Sequence, residues 1–198
     1  MKFLYTPSLL VFILAACLFS CKEQNQSTMA DLMQKDGIFY VRGTNTPFSG
    51  FVEGNESGNF ENGIRTGKWT TYFPDQTIKE EGTYLDGFKE GLWKIYHQNG
   101  QLWKEGSLVK NNRQGDWYTY DKEGVLIIKG VFENDLQNGQ WEYYYSDGTL
   151  RLKGKLVEGK RDGDWISYNE DGTEKEVKSW NRGKLVYLDK GLGETIEE

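Results

Sequence analysis

The chain contains one histidine, three prolines and two cysteines in 198 residues. Both cysteines, Cys17 and Cys21, fall within the first 21 residues, so no disulfide framework braces the rest of the chain. A lone histidine, His97, cannot assemble a metal site without a second imidazole or thiolate, and Ser-His-Asp or Cys-His catalysis is not expected of it. Basic surplus is also missing. Lys and Arg number 24 against 30 Asp and Glu, a net charge of -6, which leaves nothing to neutralise phosphates and argues against a nucleic-acid partner. The apolar run at residues 1–21 is too short to span a bilayer comfortably.

Candidate chemistry is sparse. Neighbouring acids such as Glu80-Glu81 and Asp162-Asp164 occur in a chain that is 27% charged, where such neighbours arise as solvated surface rather than as a glycosidase pair. Gly-rich stretches such as "GKRDG" lack the Lys-Ser/Thr of a phosphate loop and are turns. No catalytic, cofactor-binding or metal-binding residue is expected, and the chain is expected not to be an enzyme.

Glycine is abundant, at 24 residues, together with tryptophan and tyrosine, a composition of short strands joined by tight turns. The residues recur. Trp69, Trp93, Trp117, Trp141 and Trp165 stand 24 apart, as do Tyr72, Tyr96, Tyr120, Tyr144 and Tyr168, and Gly82, Gly106, Gly130 and Gly154. A period in this range marks stacked modules. One period earlier lie Gly43, Phe48, Gly58 and Gly63, a degenerate opening copy, and one period after Trp165 stands Asp189. His97 occupies the position of Phe73, Asp121, Tyr145 and Asn169, a tolerated strand end.

Within a unit, Asn99-Gly100, Glu123-Gly124, Asp147-Gly148 and Asp171-Gly172 predict two-residue type I′ hairpins, with Asp75-Gln76 a weaker version. Centring a turn on Asp147-Gly148 pairs Tyr145 with Leu150, Tyr143 with Leu152 and Trp141 with Gly154; the same arithmetic pairs Trp69, Trp93 and Trp117 with Gly82, Gly106 and Gly130. A ring covering the bare glycine opposite would rescue its strand and be a main stabiliser of each unit. Lys178 replaces that glycine opposite Trp165, so the fifth unit is expected to be looser. Alternation puts Trp141, Tyr143, Tyr145, Leu150, Leu152 and Leu156 on one face and Glu142, Tyr144, Arg151 and Lys153 on the other. The fold expected is all-β, an elongated antiparallel meander of tandem 24-residue hairpins with about eleven or twelve strands. The periodic tyrosines form a candidate binding ladder; the competing reading is packing against neighbouring strands and Lys stems.

The phrase "GQWEYYYSDGTLRLKGKLVEGKRDG", residues 139–163, resembles the MORN-repeat variant family of bacterial secreted and lipid-anchored hairpin-repeat proteins, and "GIFYVRGTNTPFSGFV" resembles the start of such arrays. Some members carry an antitoxin label, and the resemblance implies binding rather than catalysis. The N-terminus resembles a bacterial lipoprotein signal. Leu14-Ala15-Ala16-Cys17 fits the strict lipobox, and Leu18-Phe19-Ser20-Cys21 the looser one of Bacteroidetes, with Cys21 preferred because polar sequence begins after it. The organisation expected is a signal over 1–20, a tether over 21–36 with a short helical piece near "MADLMQ", repeats over 37–188 and an acidic tail over 189–198. The implied setting is the envelope of a Gram-negative bacterium, lipid-anchored in its outer membrane, with a protein or envelope glycan as partner.

Overall fold

The computed structural model describes residues 27–188 and 195–197. The elements are β1 (Ser27–Thr28), a 3-10 turn (Met29–Asp31), β2 (Leu32–Lys35), β3 (Ile38–Val41), β4 (Gly50–Glu53), β5 (Glu56–Glu61), β6 (Ile64–Tyr72), β7 (Ile78–Leu85), β8 (Phe88–Tyr96), β9 (Leu102–Val109), β10 (Asn112–Tyr120), β11 (Leu126–Glu133), β12 (Leu136–Tyr144), β13 (Leu150–Val157), β14 (Lys160–Tyr168), β15 (Glu174–Asn181), β16 (Lys184–Leu188) and β17 (Thr195–Glu197). From β4 to β17 each strand pairs with the next, one unbroken antiparallel meander, and β1 adds to β4 in parallel. β2 and β3 form a separate two-stranded sheet. The fold is the expected all-β meander, and it holds more strands than the eleven or twelve anticipated because both ends contribute extra ones.

Those ends depart from the expected boundaries. The stretch anticipated as a tether is built into the fold from Ser27 onward: Leu32 is buried in the first hydrophobic cluster with Phe48, Val52 and Phe60, and the Arg42 guanidinium donates to the Ala30 and Leu32 carbonyls. The helical piece at "MADLMQ" is the single 3-10 turn, fixed at its start by the Thr28 N–H and hydroxyl, which both donate to the Asp31 carboxylate at 2.8 Å. Thr195–Glu197 of the acidic tail pairs with β16. The signal segment, with Cys17 and Cys21, lies outside the described residues.

The type I′ turns fall elsewhere than expected. At Tyr145 to Thr149 the Tyr145 carbonyl accepts the Gly148 N–H at 3.0 Å and the Tyr145 N–H reaches Thr149 O at 2.8 Å, while only Gly148 has positive φ. This is a three-residue loop, a type I turn closed by a left-handed residue. Next to the loop it moves the pairing by one, so Tyr144, not Tyr145, faces Leu150, and a bulge between Tyr143 and Tyr144 restores the expected pairing of Tyr143 with Leu152. The type I′ turns sit in the other connections, where both central residues have positive φ: Asp86-Gly87, Lys110-Asn111, Asn134-Asp135 and Glu158-Gly159.

The predicted register of the tryptophans holds, and the ring contact does not. Trp69, Trp93, Trp117 and Trp141 do pair with Gly82, Gly106, Gly130 and Gly154 within their hairpins. Each indole nevertheless lies over the glycine of the preceding unit: Trp69 on Gly58, Trp93 on Gly82, Trp117 on Gly106, Trp141 on Gly130 and Trp165 on Gly154. The cause is a bulge. In each of these strands the glycine two places before the Trp is left-handed, as at Gly91 with φ 69°, and the pairing with the preceding strand shifts there. The carbonyl following the covered glycine then accepts the indole N–H, at 3.2 Å for Trp93 to Thr83 and 3.1 Å for Trp165 to Lys155. The Trp and Gly thus join units rather than close one. Trp141 Nε1 is buried without a partner, which nothing in its surroundings explains.

Candidate interaction surface

Two faces result. On the Trp face the rings form a spine in which a second repeating position, Phe60, Tyr84, Leu108, Phe132 and Leu156, alternates with the indoles. The contacts are edge-to-face, 5.1 Å between Phe60 and Trp69 and 5.3 Å between Tyr84 and Trp93 and between Phe132 and Trp141, a geometry that directs positive ring edges at negative ring faces. Strand alternation places Leu156 on this face, but its counterparts change residue type from unit to unit and so carry no visible period.

Above the spine runs a row of cations at a 24-residue spacing, Arg65, Lys89, Arg113 and Arg161, with Gln137 in the fourth place. Each sits over a ring: Arg65 over Trp69 at 4.6 Å, Lys89 over Trp93 at 4.0 Å, Arg113 over Phe132 at 3.9 Å and Arg161 over Trp165 at 4.3 Å. The sequence carries a signal for them, a basic residue four places before most of the Trp positions, but composition hides it among 24 cations. In the first two units a carboxylate nine residues earlier neutralises the cation, Glu56 with Arg65 at 2.7 Å and Glu80 with Lys89 at 2.9 Å. In the third unit that position is Lys104, and Arg113 turns instead to Asp135 at 2.8 Å. Arg113 holds the Asp135 carboxyl below the usual carboxylate range, so this pair is charge-neutral in itself. Lys104 is left over.

A groove of about 490 Å³ opens here, lined among others by Lys89, Lys104, Arg113, Trp117, Phe132 and Asp135. Trp117 is the one array tryptophan that is only half-buried, and it touches both hydrophobic clusters. Beside it a shallower hollow of about 330 Å³ is walled by Phe73, Lys79, His97 and Trp103, with Ile95 common to both. His97 Nε2 lies 3.0 Å from the Tyr120 carbonyl, which can only accept, so this nitrogen carries the proton. Tyr145, at the same place two units on, donates its hydroxyl to Tyr168 O at 2.9 Å. The histidine is therefore a tie between neighbouring units.

The candidate tyrosine ladder occupies the opposite face. Tyr72, Tyr96, Tyr120, Tyr144 and Tyr168 are all half-buried. Three hydroxyls are committed to carboxylates: Tyr96 to Glu81 at 2.8 Å, Tyr120 to Glu105 at 3.1 Å and Tyr144 to Glu142 at 2.7 Å. Lys153 approaches the Tyr168 ring at 5.4 Å. Burial and these hydrogen bonds push the Tyr96 and Tyr144 hydroxyls up to about 12. Between the tyrosines, Lys94 pairs across strands with both Glu81 and Glu105, and Glu142 with both Lys129 and Lys153, so opposite charges alternate across the ladder. Lys178 pairs with Trp165 as expected, in the place that glycine holds in the other hairpins. Glu174 to Lys178 are all exposed, yet Trp165 stays buried because its ring rests on Gly154.

An antiparallel array with repeating joints and one grooved face defines a repeat-based binding scaffold. The sequence profile of the MORN repeat variant matches residues 65–86, 89–111, 113–134 and 137–156, so this stretch carries four tandem MORN repeats. The copies open at or beside the row of ring-covering cations. No curated protein matches the chain. Among solved structures, 24 chains match; one is a crystal structure of a GtfA/B complex bound to UDP and GlcNAc, 14% identical, covering 69% of this chain and 25% of that one, with a TM-score of 0.20. The chain spans a quarter of that solved chain's length, and at such a TM-score the likeness carries no argument.

Proposed function

We propose that the protein is a non-enzymatic scaffold, lipid-anchored in the cell envelope of a Gram-negative bacterium, that presents its repeat array to a protein or glycan partner. The observation that carries the binding role is the groove at the third unit, lined by the repeat-breaking and half-buried cation Lys104 in a protein of net charge -6. The anchor rests on the two lipobox-like endings at Cys17 and Cys21. Two or more acyl chains hold a protein stably on a membrane, since each buried CH₂ contributes about 0.8 kcal/mol. Against catalysis stands the single His97, committed to a main-chain carbonyl.

Metabolic labelling with palmitate tests the anchor. The parent chain should incorporate label and Cys21→Ser should not; loss only in Cys17→Ser would move the site, and labelling of the double variant would end the reading. A tagged chain expressed beside the products of neighbouring genes separates the second reading, an antitoxin, because only that one requires rescue of growth from a toxic polypeptide.

A further inference from the structure

Positions that the array needs recur every 24 residues; residues that appear in one unit alone are not demanded by it. Such departures gather at one place. Trp103 stands where the other units have Lys79, Ile127, Arg151 and Lys175, and Lys104 where they have Glu56, Glu80, Ile128, Leu152 and Glu176. Asn111 and Asp135 replace the glycines found at Gly63, Gly87, Gly159 and Gly183 in the second place of the type I′ turns. Lys104, Asn111 and Asp135 all line the 490 Å³ groove, and Trp103 walls the hollow beside it.

We infer that this junction is a binding site for a carboxylate-bearing sugar, the sugar ring stacked on Trp103 and its carboxylate held by Lys104. The inference names a ligand class for the scaffold reading above and rests on it.

Three features select that ligand. Trp103 is 39% exposed, unlike the buried indoles of Trp69, Trp93, Trp141 and Trp165, and its negative ring face suits the weakly positive C–H face of a pyranose. At present the Lys104 ammonium covers it at 4.1 Å, a cation that an arriving anion would draw off. Among the described residues no carboxylate forms an ion pair with Lys104, whereas Lys89 and Arg113 are already matched by Glu80 and Asp135. Lys79, in the wall of the hollow beside Trp103, is likewise in no ion pair among the described residues and adds a second ammonium for an acidic sugar. A strand-like peptide is disfavoured because β8, β9, β10 and β11 are all interior strands paired on both sides, leaving no edge to extend. The volume lies in the range of small-ligand pockets, about 300–1,000 Å³.

The test titrates the full-length chain, purified in detergent, with a short hexuronic-acid oligomer, following heat and tryptophan fluorescence. The same oligomer with its carboxyls reduced, and poly-glutamate, are the controls. Two variants borrow residues the array already tolerates at the same phase, Trp103→Lys and Lys104→Glu, so the fold is kept; unchanged thermal melting verifies this. Binding of the uronate oligomer, weakened by about tenfold to a hundredfold in each variant and in the reduced oligomer, supports the site. The assignment is overturned by no binding, by equal binding in the variants, by equal affinity for the reduced oligomer, or by poly-glutamate binding as tightly, which would make the partner an acidic peptide. Failure here, with palmitate labelling retained, leaves the anchored scaffold standing and removes only this ligand.

Discussion

Trp93 pairs main chain to main chain with Gly106 of its own hairpin, yet its indole rests on Gly82 of the hairpin before. A Cβ added at Gly82 would fall inside that indole. Replacing Gly82 by Ala must therefore push the ring away or unpair the strands, and overpacking of this kind costs about 1–3 kcal/mol. Chemical denaturation of Gly82→Ala should show that loss. Lys178→Ala, at the same phase and exposed, should stay within about 0.5 kcal/mol of the parent. Equal effects at both sites would refute the joint.

The seven tryptophans should separate into two classes. Trp165 is 3% exposed, sits on Gly154 and lies under Arg161, so Trp165→Ala is expected to cost about 3–5 kcal/mol. Trp103→Lys, at an exposed strand end, is expected to change stability by less than about 1 kcal/mol. Denaturant midpoints of the two variants check the ordering.

Gln76 holds φ 66° in the three-residue loop where the other units use Gly100, Gly124, Gly148 and Gly172. A non-glycine residue in that region carries a penalty of about 1–2 kcal/mol. Gln76→Gly should raise the melting temperature, by an amount reduced by the greater freedom of glycine in the unfolded chain. A lower melting temperature would mean that the loop is held by something other than this backbone angle.

Alkali should loosen the tyrosine face. The Tyr96 and Tyr144 hydroxyls lie at about 12 in the fold, above their ordinary 10.0, so the unfolded chain gives up these protons first. Their stabilisation is complete below pH 10 and is lost as pH climbs towards 12. On the acid side Glu81, held low by the Tyr96 hydroxyl and then by Lys68, stabilises above its ordinary 4.5 and stops doing so as pH falls through its lowered value. Melting curves of the parent and of a Tyr96→Phe, Tyr144→Phe double variant between pH 9 and 12 should converge as these hydroxyls ionise.

Much of this fold is legible because a strict period fixes strand count per unit, face and register at once. Trp141 opposite Gly154 follows from turn position alone, and the meander follows from the alternation of turns. The ring contact does not follow, since each glycine lies between two tryptophans and only the bulge at the left-handed glycine decides which indole leans over it. The turn types escape the sequence for a similar reason. Asp147-Gly148 and Asp86-Gly87 are alike as dipeptides, and the difference between them is whether one or two central residues take positive φ. The row of ring-covering cations is hidden because a basic residue signals solvent unless the ring beneath it is known. Trp103 and Lys104 stand out only beside the residues that share their phase in the other units.

Because each indole is lent to the unit behind it, every joint is made by the newcomer. Lys178 and Asp189 depart together at the far end, glycine and tryptophan each absent where the other would have been. An insertion or excision of one whole period would therefore leave all other seams intact, so growth by duplication is mechanically free while any fractional insertion breaks a seam.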